Sequence, residues 1–217
     1  MVEGDGDRQG PGGRAADDAV PAVPRLAQSL VLVGLMGAGK TSVGTRLAAA
    51  LDAPFADSDA EIEAAAAMSV GEIFRTHGEP YFRDGERRVI ARLLDGEPVV
   101  LATGGGAFMD PRTRALIAEH ACSVWLRASL DTLVARTAGR THRPLLNTGD
   151  PRAVLARLID ERYPVYAEAD VAVDTVAGQP HEATVRRVLA ALAAGGVLVP
   201  GEAAESGADS GAGPGGA

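Results

Sequence analysis

The chain has 217 residues, 46% hydrophobic and 23% charged, a balance that excludes a wholly disordered protein and suits one domain of ordinary size. Its net charge of −8 argues against general attraction to nucleic acid or to an anionic membrane, because both need a basic surface. Of the 21 basic residues, Lys40 is the one lysine and all others are arginine. The single cysteine, Cys122, excludes an intrachain disulfide and suits a reducing compartment, so we expect a cytoplasmic protein.

Both ends of the sequence are poor in large apolar side chains. Residues 1–25 are rich in Gly, Asp, Pro and Ala, and residues 200–217 are mostly Gly, Ala and Ser, with three acids and two prolines. Neither segment can bury enough apolar surface to order itself, so we predict two disordered tails around a single domain at 26–199. The best candidate for a membrane span, 188–199, is too short and is interrupted by two glycines.

Short apolar runs alternate along this domain with longer segments of helical period, which is the pattern of βαβ units around a parallel sheet. Helix-start signals stand between the runs: Ser69 with Glu72 forms a capping box, and Asp110 and Asp150 each precede a proline at a first helical position. We therefore predict an α/β protein with one five-stranded parallel sheet flanked by helices. The predicted strands are 29–33, 54–57, 98–103, 122–127 and 171–174.

The first predicted strand is followed directly by Gly-Leu-Met-Gly-Ala-Gly-Lys-Thr at 34–41 and then by a helical segment. This is the Walker A pattern in its strand–loop–helix setting. The glycines let backbone N–H groups surround phosphate oxygens, the lysine contributes charge to the β- and γ-phosphates, and the threonine hydroxyl can ligate Mg²⁺. The P-loop thus predicts binding of a nucleotide and Mg²⁺. The predicted nucleotide-binding residues of this loop are Gly37, Ala38, Gly39, Lys40, Thr41 and Ser42.

The P-loop alone does not identify the reaction, because kinases, ATPases and GTPases share it. A GTPase needs an Asn-Lys-x-Asp motif, which is impossible in a chain whose one lysine lies in the P-loop. Residues 138–150 contain arginines, a histidine and a proline without helical or strand period, and we predict a mobile lid there. A small domain with a lid favours phosphoryl transfer to a small molecule over mechanical ATP hydrolysis.

Several segments together resemble the shikimate kinase family, in the family's order, over residues 29 to about 190. They are the P-loop at 34–41, Asp-Ser-Asp at 57–59, Phe-Arg at 82–83, Thr-Gly-Gly-Gly at 103–106, Arg-Pro-Leu-Leu at 143–146, and Arg162 before Tyr-Pro-Val-Tyr at 163–166. The P-loop is the one segment that is strong by itself, but the set is specific. The resemblance implies a P-loop kinase fold with a lid, and phosphorylation of the 3-hydroxyl of shikimate by ATP on the chorismate route to aromatic amino acids.

The resemblance also implies roles for single residues. Asp57 would hold Mg²⁺ through water, alongside Thr41. Asp59 would bind a hydroxyl of shikimate and act as its general base. Arg83 and Arg162 would bind the carboxylate of shikimate, for which arginine forks are well suited.

Three glycines and two more arginines complete the implied site. Gly104, Gly105 and Gly106 lack side chains, so their backbone can approach the acceptor closely. Arg136 resembles the family's adenine-stacking arginine, and Arg143 in the lid would bring its charge onto the transferring phosphoryl group. The predicted catalytic residues are Lys40, Asp59 and Arg143.

Plainer interpretations stay open at several of these positions. Asp57 or Ser58 can simply cap the following helix, and for Ser58 we favour that interpretation. Residues 174–180 contain no recognisable adenine-binding motif, and we interpret Cys122 as a small core residue. Four further arginines are interpreted as solvated or ion-paired surface residues: Arg87, Arg88, Arg186 and Arg187.

Two other functions compete with shikimate phosphorylation. A kinase for gluconate or a nucleoside monophosphate would keep Lys40 and a lid, but would not need Asp59 together with Arg83 and Arg162. A non-catalytic ATP-binding module would not need Thr41, Asp57 and a lid arginine. We expect a monomer whose partner is shikimate, with neither nucleic acid nor membrane as a partner.

Overall fold

The computed structural model of the chain describes residues 24–138 and 150–200. The predicted tails and the predicted lid therefore lie outside the described residues, apart from positions 24, 25, 138, 150 and 200. The strands, in chain order, are β1 (Arg25–Leu26), β2 (Ser29–Val33), β3 (Phe55–Asp57), β4 (Val100–Ala102), β5 (Ala121–Ala128), β6 (Val171–Thr175) and β7 (Leu198–Val199).

Strands β2 to β6 form one parallel sheet in the order β3-β4-β2-β5-β6. All five predicted strands are present, with their ends shifted by a residue or two, so the predicted α/β class and the five-stranded parallel sheet are confirmed. Every residue of β2 and β4 is buried, as expected for central parallel strands that are covered on both faces. Cys122 is buried in β5, where burial raises the pKa of its thiol to about 11, in agreement with a core role.

Strands β1 and β7 form a separate antiparallel ribbon, in which Arg25 pairs with Val199 and Leu26 with Leu198. The ribbon joins the two ends of the described chain. Sequence analysis missed it, because two-residue strands are too short to show any periodicity, and it begins inside the segment predicted as a tail.

Helices cover the sheet, and their starts agree with the sequence signals. Ser69 and Glu72 form the predicted capping box, and Asp110 and Asp150 accept hydrogen bonds from backbone N–H groups at the starts of their helices. No helix within 24–138 and 150–200 is long and apolar enough to cross a membrane. The helices are α1 (Lys40–Ala50), α2 (Ser58–Ala66), α3 (Val70–Leu94), α4 (Pro111–His120), α5 (Leu130–Thr137), α6 (Pro151–Tyr166) and α7 (His181–Ala194), and a 3₁₀ turn covers Ala107–Met109.

Helices α2 and α3 form a unit with its own small core. Ile62, Ile73 and Phe82 pack together apart from the main cluster around the sheet. Helix α3 is kinked at Gly78, which has a φ of 80°, two residues before Pro80. This unit carries acidic and basic side chains toward the carboxyl edge of β3 and β4.

The carboxyl ends of β2, β3 and β4 lie side by side at one edge of the sheet. The P-loop follows β2, Asp57 ends β3, and Gly104 to Gly106 follow β4. In open α/β sheets this edge is where ligands bind. The topology therefore places three of the predicted motifs next to one another.

Candidate active site

A cavity of about 270 Å³ opens at this edge of the sheet. Its walls are mostly polar, and most of the predicted site residues contribute to them. The lining residues are Met36, Gly37, Gly39, Lys40, Thr41, Ser42, Asp57, Asp59, Thr103, Gly104, Gly105, Arg136 and His181.

The P-loop shows the backbone that a phosphate cradle needs. Gly37 and Gly39 have φ of 84° and 100°, in the left-handed region that glycine tolerates best. A Cβ on Gly37 would also lie 2.9 Å from Thr137 Cγ2, so a side chain has no room there. Ala38, predicted to bind nucleotide, is buried outside the cavity lining, and its N–H donates to Leu35 O.

Lys40 begins α1 and turns back over the loop. Its ammonium donates hydrogen bonds to Gly34 O at 2.7 Å and Leu35 O at 3.2 Å. Helix α1, described in full, carries no acidic residue in its first turn, so the positive end of its dipole is not neutralised there. Loop, lysine and helix terminus together form a site suited to a polyphosphate.

Thr41 and Asp57 bring two oxygens together beside the cradle. Thr41 Oγ1 donates to Asp57 Oδ2 at 3.0 Å, and Asp57 Oδ1 accepts from the Asp59 N–H at 3.1 Å. Asp57 thus caps α2 with one oxygen and faces Thr41 with the other. Mg²⁺ prefers oxygen ligands about 2.1 Å away in octahedral geometry, for which neighbouring ligands lie about 3 Å apart. The two residues fit such an ion, bound directly or through water.

Ser58 corrects one sequence interpretation. We favoured it as a helix cap, but Asp57 is the cap and Ser58 is fully buried inside the first turn of α2. Its hydroxyl accepts a hydrogen bond from the Gly104 N–H at 3.1 Å. Ser58 therefore attaches the glycine turn to α2 and so to Asp59.

Asp59 lies against the glycine turn. A Cβ on Gly104 would come within 2.7 Å of Asp59 Oδ1 and 2.9 Å of Glu86 Oε1, so two carboxyl groups share the space that a side chain would fill. Burial and the neighbouring charge of Asp57 raise the pKa of Asp59, against the opposing effect of Lys40. A carboxylate with a raised pKa accepts a proton more readily, which suits a general base.

Arg83 lies at the far end of the same turn. It donates to Glu86 Oε2 at 2.6 Å and to Glu79 Oε1 at 3.2 Å, and its guanidinium lies 5.1 Å from the centre of the Phe82 ring. A Cβ on Gly106 would lie 2.3 Å from Arg83 Nη2, so this glycine makes room for the guanidinium. Burial by itself lowers the pKa of Arg83, but Glu86 and Glu79 outweigh it, and the group stays charged.

Glu86 is a site residue that sequence analysis missed. Its side chain is 1% exposed, and Oε1 has no hydrogen-bond partner among the described residues. Burial raises the pKa of Glu86 from 4.5 to about 7, against the opposing charge of Arg83. The available signal was its spacing of three from Arg83, which puts both side chains on one face of a helix.

Arg162 and Tyr166 hold the middle of the glycine turn from α6. Arg162 Nη1 donates to Gly105 O at 2.8 Å, and the Tyr166 hydroxyl donates to the same oxygen. Tyr166 is buried, and burial raises its pKa to about 12. Arg83 and Arg162 thus lie at neighbouring residues of one turn, although they are far apart in sequence.

Arg136 connects the P-loop to the end of β6. Its guanidinium donates to Ala38 O at 3.1 Å, to Thr175 Oγ1 at 3.2 Å and to Val176 O at 2.8 Å, and burial lowers its pKa. His181, which sequence analysis left without a role, begins α7 and lines the cavity beside it. A lone histidine outside any motif gave no signal.

The other arginines singled out in the sequence are placed differently by the structure. Arg143 lies outside the described residues. Arg88 is exposed and pairs with Asp84, in agreement with the surface interpretation. Arg87 also pairs with Asp84, but its side chain is only 24% exposed and its Nη1 is buried, so it is ion-paired without being a fully solvated surface residue. Arg187 does more, because it donates to Asp174 O and Gln179 Oε1 and so holds the segment 174–180.

The family model and the similar proteins of known sequence agree on one family. A family model described as shikimate kinase matches residues 36–193. A shikimate kinase of Paramagnetospirillum magneticum is 60% identical over 168 residues, which are 77% of this chain and 86% of that protein. A shikimate kinase of Rhodopseudomonas palustris is 54% identical over 182 residues, 83% of this chain and 88% of that protein. The solved shikimate kinase from Acinetobacter baumannii in complex with shikimate has a TM-score of 0.74 at 34% identity, covering 77% of this chain and 94% of that one.

Proposed function

The chain belongs to the shikimate kinase family and phosphorylates shikimate with ATP, and we propose that the cavity at the carboxyl edge of the sheet performs this transfer onto the 3-hydroxyl. The observation that carries the proposal is the convergence of two kinds of binding groups on one turn. A phosphate cradle lies on one side of Gly104–Gly106, and two arginines suited to a carboxylate hold the other side.

At the nucleotide end, the P-loop amides and Lys40 bind the phosphates of ATP. Thr41 and Asp57 would hold Mg²⁺, which neutralises charge on the phosphates. Lys40 donates to the loop carbonyls of Gly34 and Leu35, and its ammonium would bind phosphate oxygens at the same place. These groups lower the barrier mainly by positioning and by neutralising negative charge.

At the acceptor end, Arg83 and Arg162 would bind the carboxylate of shikimate, and Asp59 would orient and deprotonate the 3-hydroxyl. The buried Glu86 fixes Arg83 through the 2.6 Å ion pair, so the guanidinium is held in place before the acceptor arrives. Arg143 would add positive charge from the lid.

The choice of phosphate acceptor distinguishes this function from its alternatives. We would incubate the full chain with ATP and Mg²⁺ and with shikimate, gluconate or CMP, follow ADP formation, and identify the product by phosphorus NMR. We expect ADP to form only when shikimate is the acceptor, and the product to carry one phosphate ester, at the 3-hydroxyl. Turnover of gluconate or CMP without shikimate would contradict the proposal, and nucleotide binding with no transfer would indicate a non-catalytic module.

The same assay tests the metal. Removal of Mg²⁺ with a chelator should abolish ADP formation, and added Mg²⁺ should restore it. We further propose that the protein acts in the cytoplasm and as a monomer. For a monomer, light scattering of the purified full chain should give a molar mass near 22.2 kDa. A stable mass of twice that value would contradict it.

A further inference from the structure

The two ends of the cavity lie at the carboxyl edge of the sheet, on opposite sides of the central strand β2. Asp59 follows β3 and Gly104 follows β4, on one side of the central strand β2. Arg136 follows β5 and His181 follows β6, on the other side. The P-loop itself follows β2, between the two groups.

This order fixes the direction in which a nucleotide lies. The phosphates occupy the P-loop, and the γ-phosphate must face the acceptor groups beside β3 and β4. The nucleoside must therefore leave the cradle toward β5 and β6, where Arg136 and His181 stand. This step rests on the proposed function, because it assumes that phosphoryl transfer runs from the P-loop toward Asp59.

Arg136 and His181 both approach the same residue of the loop. A Cβ on Gly39 would lie 3.7 Å from Arg136 Nη1, 3.8 Å from His181 Cε1 and 3.9 Å from His181 Nδ1. Gly39 directly precedes Lys40, so both side chains lie at the exit from the phosphate cradle. We propose that His181 is a nucleoside-binding residue, whose imidazole contacts the base–ribose half of ATP across the exit from Arg136.

The surroundings of His181 favour a flat, uncharged ring in this place. Burial lowers the pKa of His181, and the charges of Arg46 from α1 and Arg136 from α5 lower it further, while Glu182 on its own helix acts in the opposite direction. Arg46 is paired with Glu182 at 2.9 Å, which ties α1 to the start of α7. A neutral imidazole offers an aromatic face, and such faces stack on nucleobases whatever their sequence.

The test separates the nucleoside from the phosphates. We would titrate the full chain calorimetrically with ADP and with inorganic pyrophosphate, both with Mg²⁺, for the wild-type protein, His181→Ala and His181→Gln. Pyrophosphate fills the cradle alone, whereas ADP also reaches the exit. We expect the ADP dissociation constant to rise about 5- to 50-fold in both variants, in the range of aromatic–base stacking, while that of pyrophosphate stays within about twofold.

A matched control is His120→Ala, which removes another partly exposed imidazole, at the end of α4 outside the cavity lining. It should change neither titration. In turnover, His181→Ala should raise the KM for ATP and leave the KM for shikimate unchanged.

Two results would overturn the inference. Equal weakening of ADP and pyrophosphate would show that His181 merely supports the loop, and an unchanged ADP affinity would show that it makes no contact. Should His181→Ala prove unstable, His181→Gln retains a polar side chain at the start of α7. The same comparison of ADP and pyrophosphate dissociation constants then applies to that variant. Failure of the wild-type protein to bind ADP would contradict the proposed function instead.

Discussion

The nucleotide end and the acceptor end of the cavity are built in different ways. The nucleotide end is one continuous segment, in which the P-loop and the start of α1 follow directly from β2. The acceptor end is assembled from α2, α3, the turn after β4 and α6, and Asp59 and Arg162 are more than a hundred residues apart. Phosphate binding therefore depends on local backbone geometry, whereas acceptor binding depends on how separate helices pack.

The two ends also carry different energetic costs. The P-loop holds glycines at positive φ, which glycine accepts at little cost. The acceptor end buries a carboxyl group, Glu86, whose second oxygen has no hydrogen-bond partner among the described residues. Such a group is costly in the free protein and is typical of functional sites. We infer that loss of Arg83 or Glu86 at the acceptor end alters stability and function together, and that exchange of the Lys40 side chain at the nucleotide end mainly alters function.

The largest effect is expected for Lys40→Arg. The guanidinium is planar and wider than the ammonium that now lies between Gly34 O and Leu35 O, so it cannot reach the phosphates in the same way. We expect phosphoryl transfer to fall at least about 100- to 1000-fold, the effect of losing one charge-stabilising donor, with little change in melting temperature. Normal turnover of shikimate by this variant would show that phosphoryl transfer does not need the Lys40 ammonium.

The second effect is expected for Arg83→Gln. The change removes a proposed carboxylate ligand and leaves Glu86 buried without its ion-pair partner. We expect the KM for shikimate to rise at least about tenfold with the KM for ATP unchanged. The free energy of unfolding, measured in urea, should fall by about 1–3 kcal/mol.

Arg88→Gln is the matched control for this variant. Arg88 lies on the same helix and pairs with Asp84, but its side chain is 68% exposed. We expect its loss to change stability by less than about 0.5 kcal/mol and to leave both KM values unchanged. Similar effects of the two variants would contradict a special role for Arg83.

A pH effect is expected from Glu86, because its pKa is raised from 4.5 to about 7 in the folded protein. Between these values the folded state keeps a proton that the unfolded state has released, so stability falls as pH rises. Relative to Glu86→Gln, which stays neutral, the wild-type protein should lose up to about 3 kcal/mol of unfolding free energy from pH 5 to pH 8. A difference between the two proteins that stays constant over this range, measured by urea unfolding, would contradict the assignment.

The smallest effect is expected from removal of residues 1–23 and 201–217. These segments flank the β1–β7 ribbon and lie outside the described residues. We expect unchanged turnover and melting temperature, and a large loss of activity would show that the segments contribute to the site.

The same contrast explains how far the sequence could be interpreted. The strands, the helix caps and the P-loop are local patterns, and each was predicted within a residue or two. Ser58, Glu86 and His181 were missed or misinterpreted because their roles depend on burial or on contacts with distant segments. Glu86 stands in the charged run Arg83-Asp-Gly-Glu-Arg-Arg88, where nothing in the sequence marks one residue as buried.

The acceptor residues show the limit most clearly. Arg83 and Arg162 were selected by resemblance to a family, because an arginine on a helix has no local signal of ligand binding. Only the packing of α3 and α6 on the glycine turn brings them to neighbouring positions.

The independence of the two ends is tested most directly by titrating Lys40→Arg and Arg83→Gln, each with ADP and with shikimate, in a calorimeter. We predict a crossed result, in which Lys40→Arg loses affinity for ADP and keeps that for shikimate within about twofold, while Arg83→Gln does the reverse. Equal loss of both ligands in either variant would contradict a cavity with separately built ends.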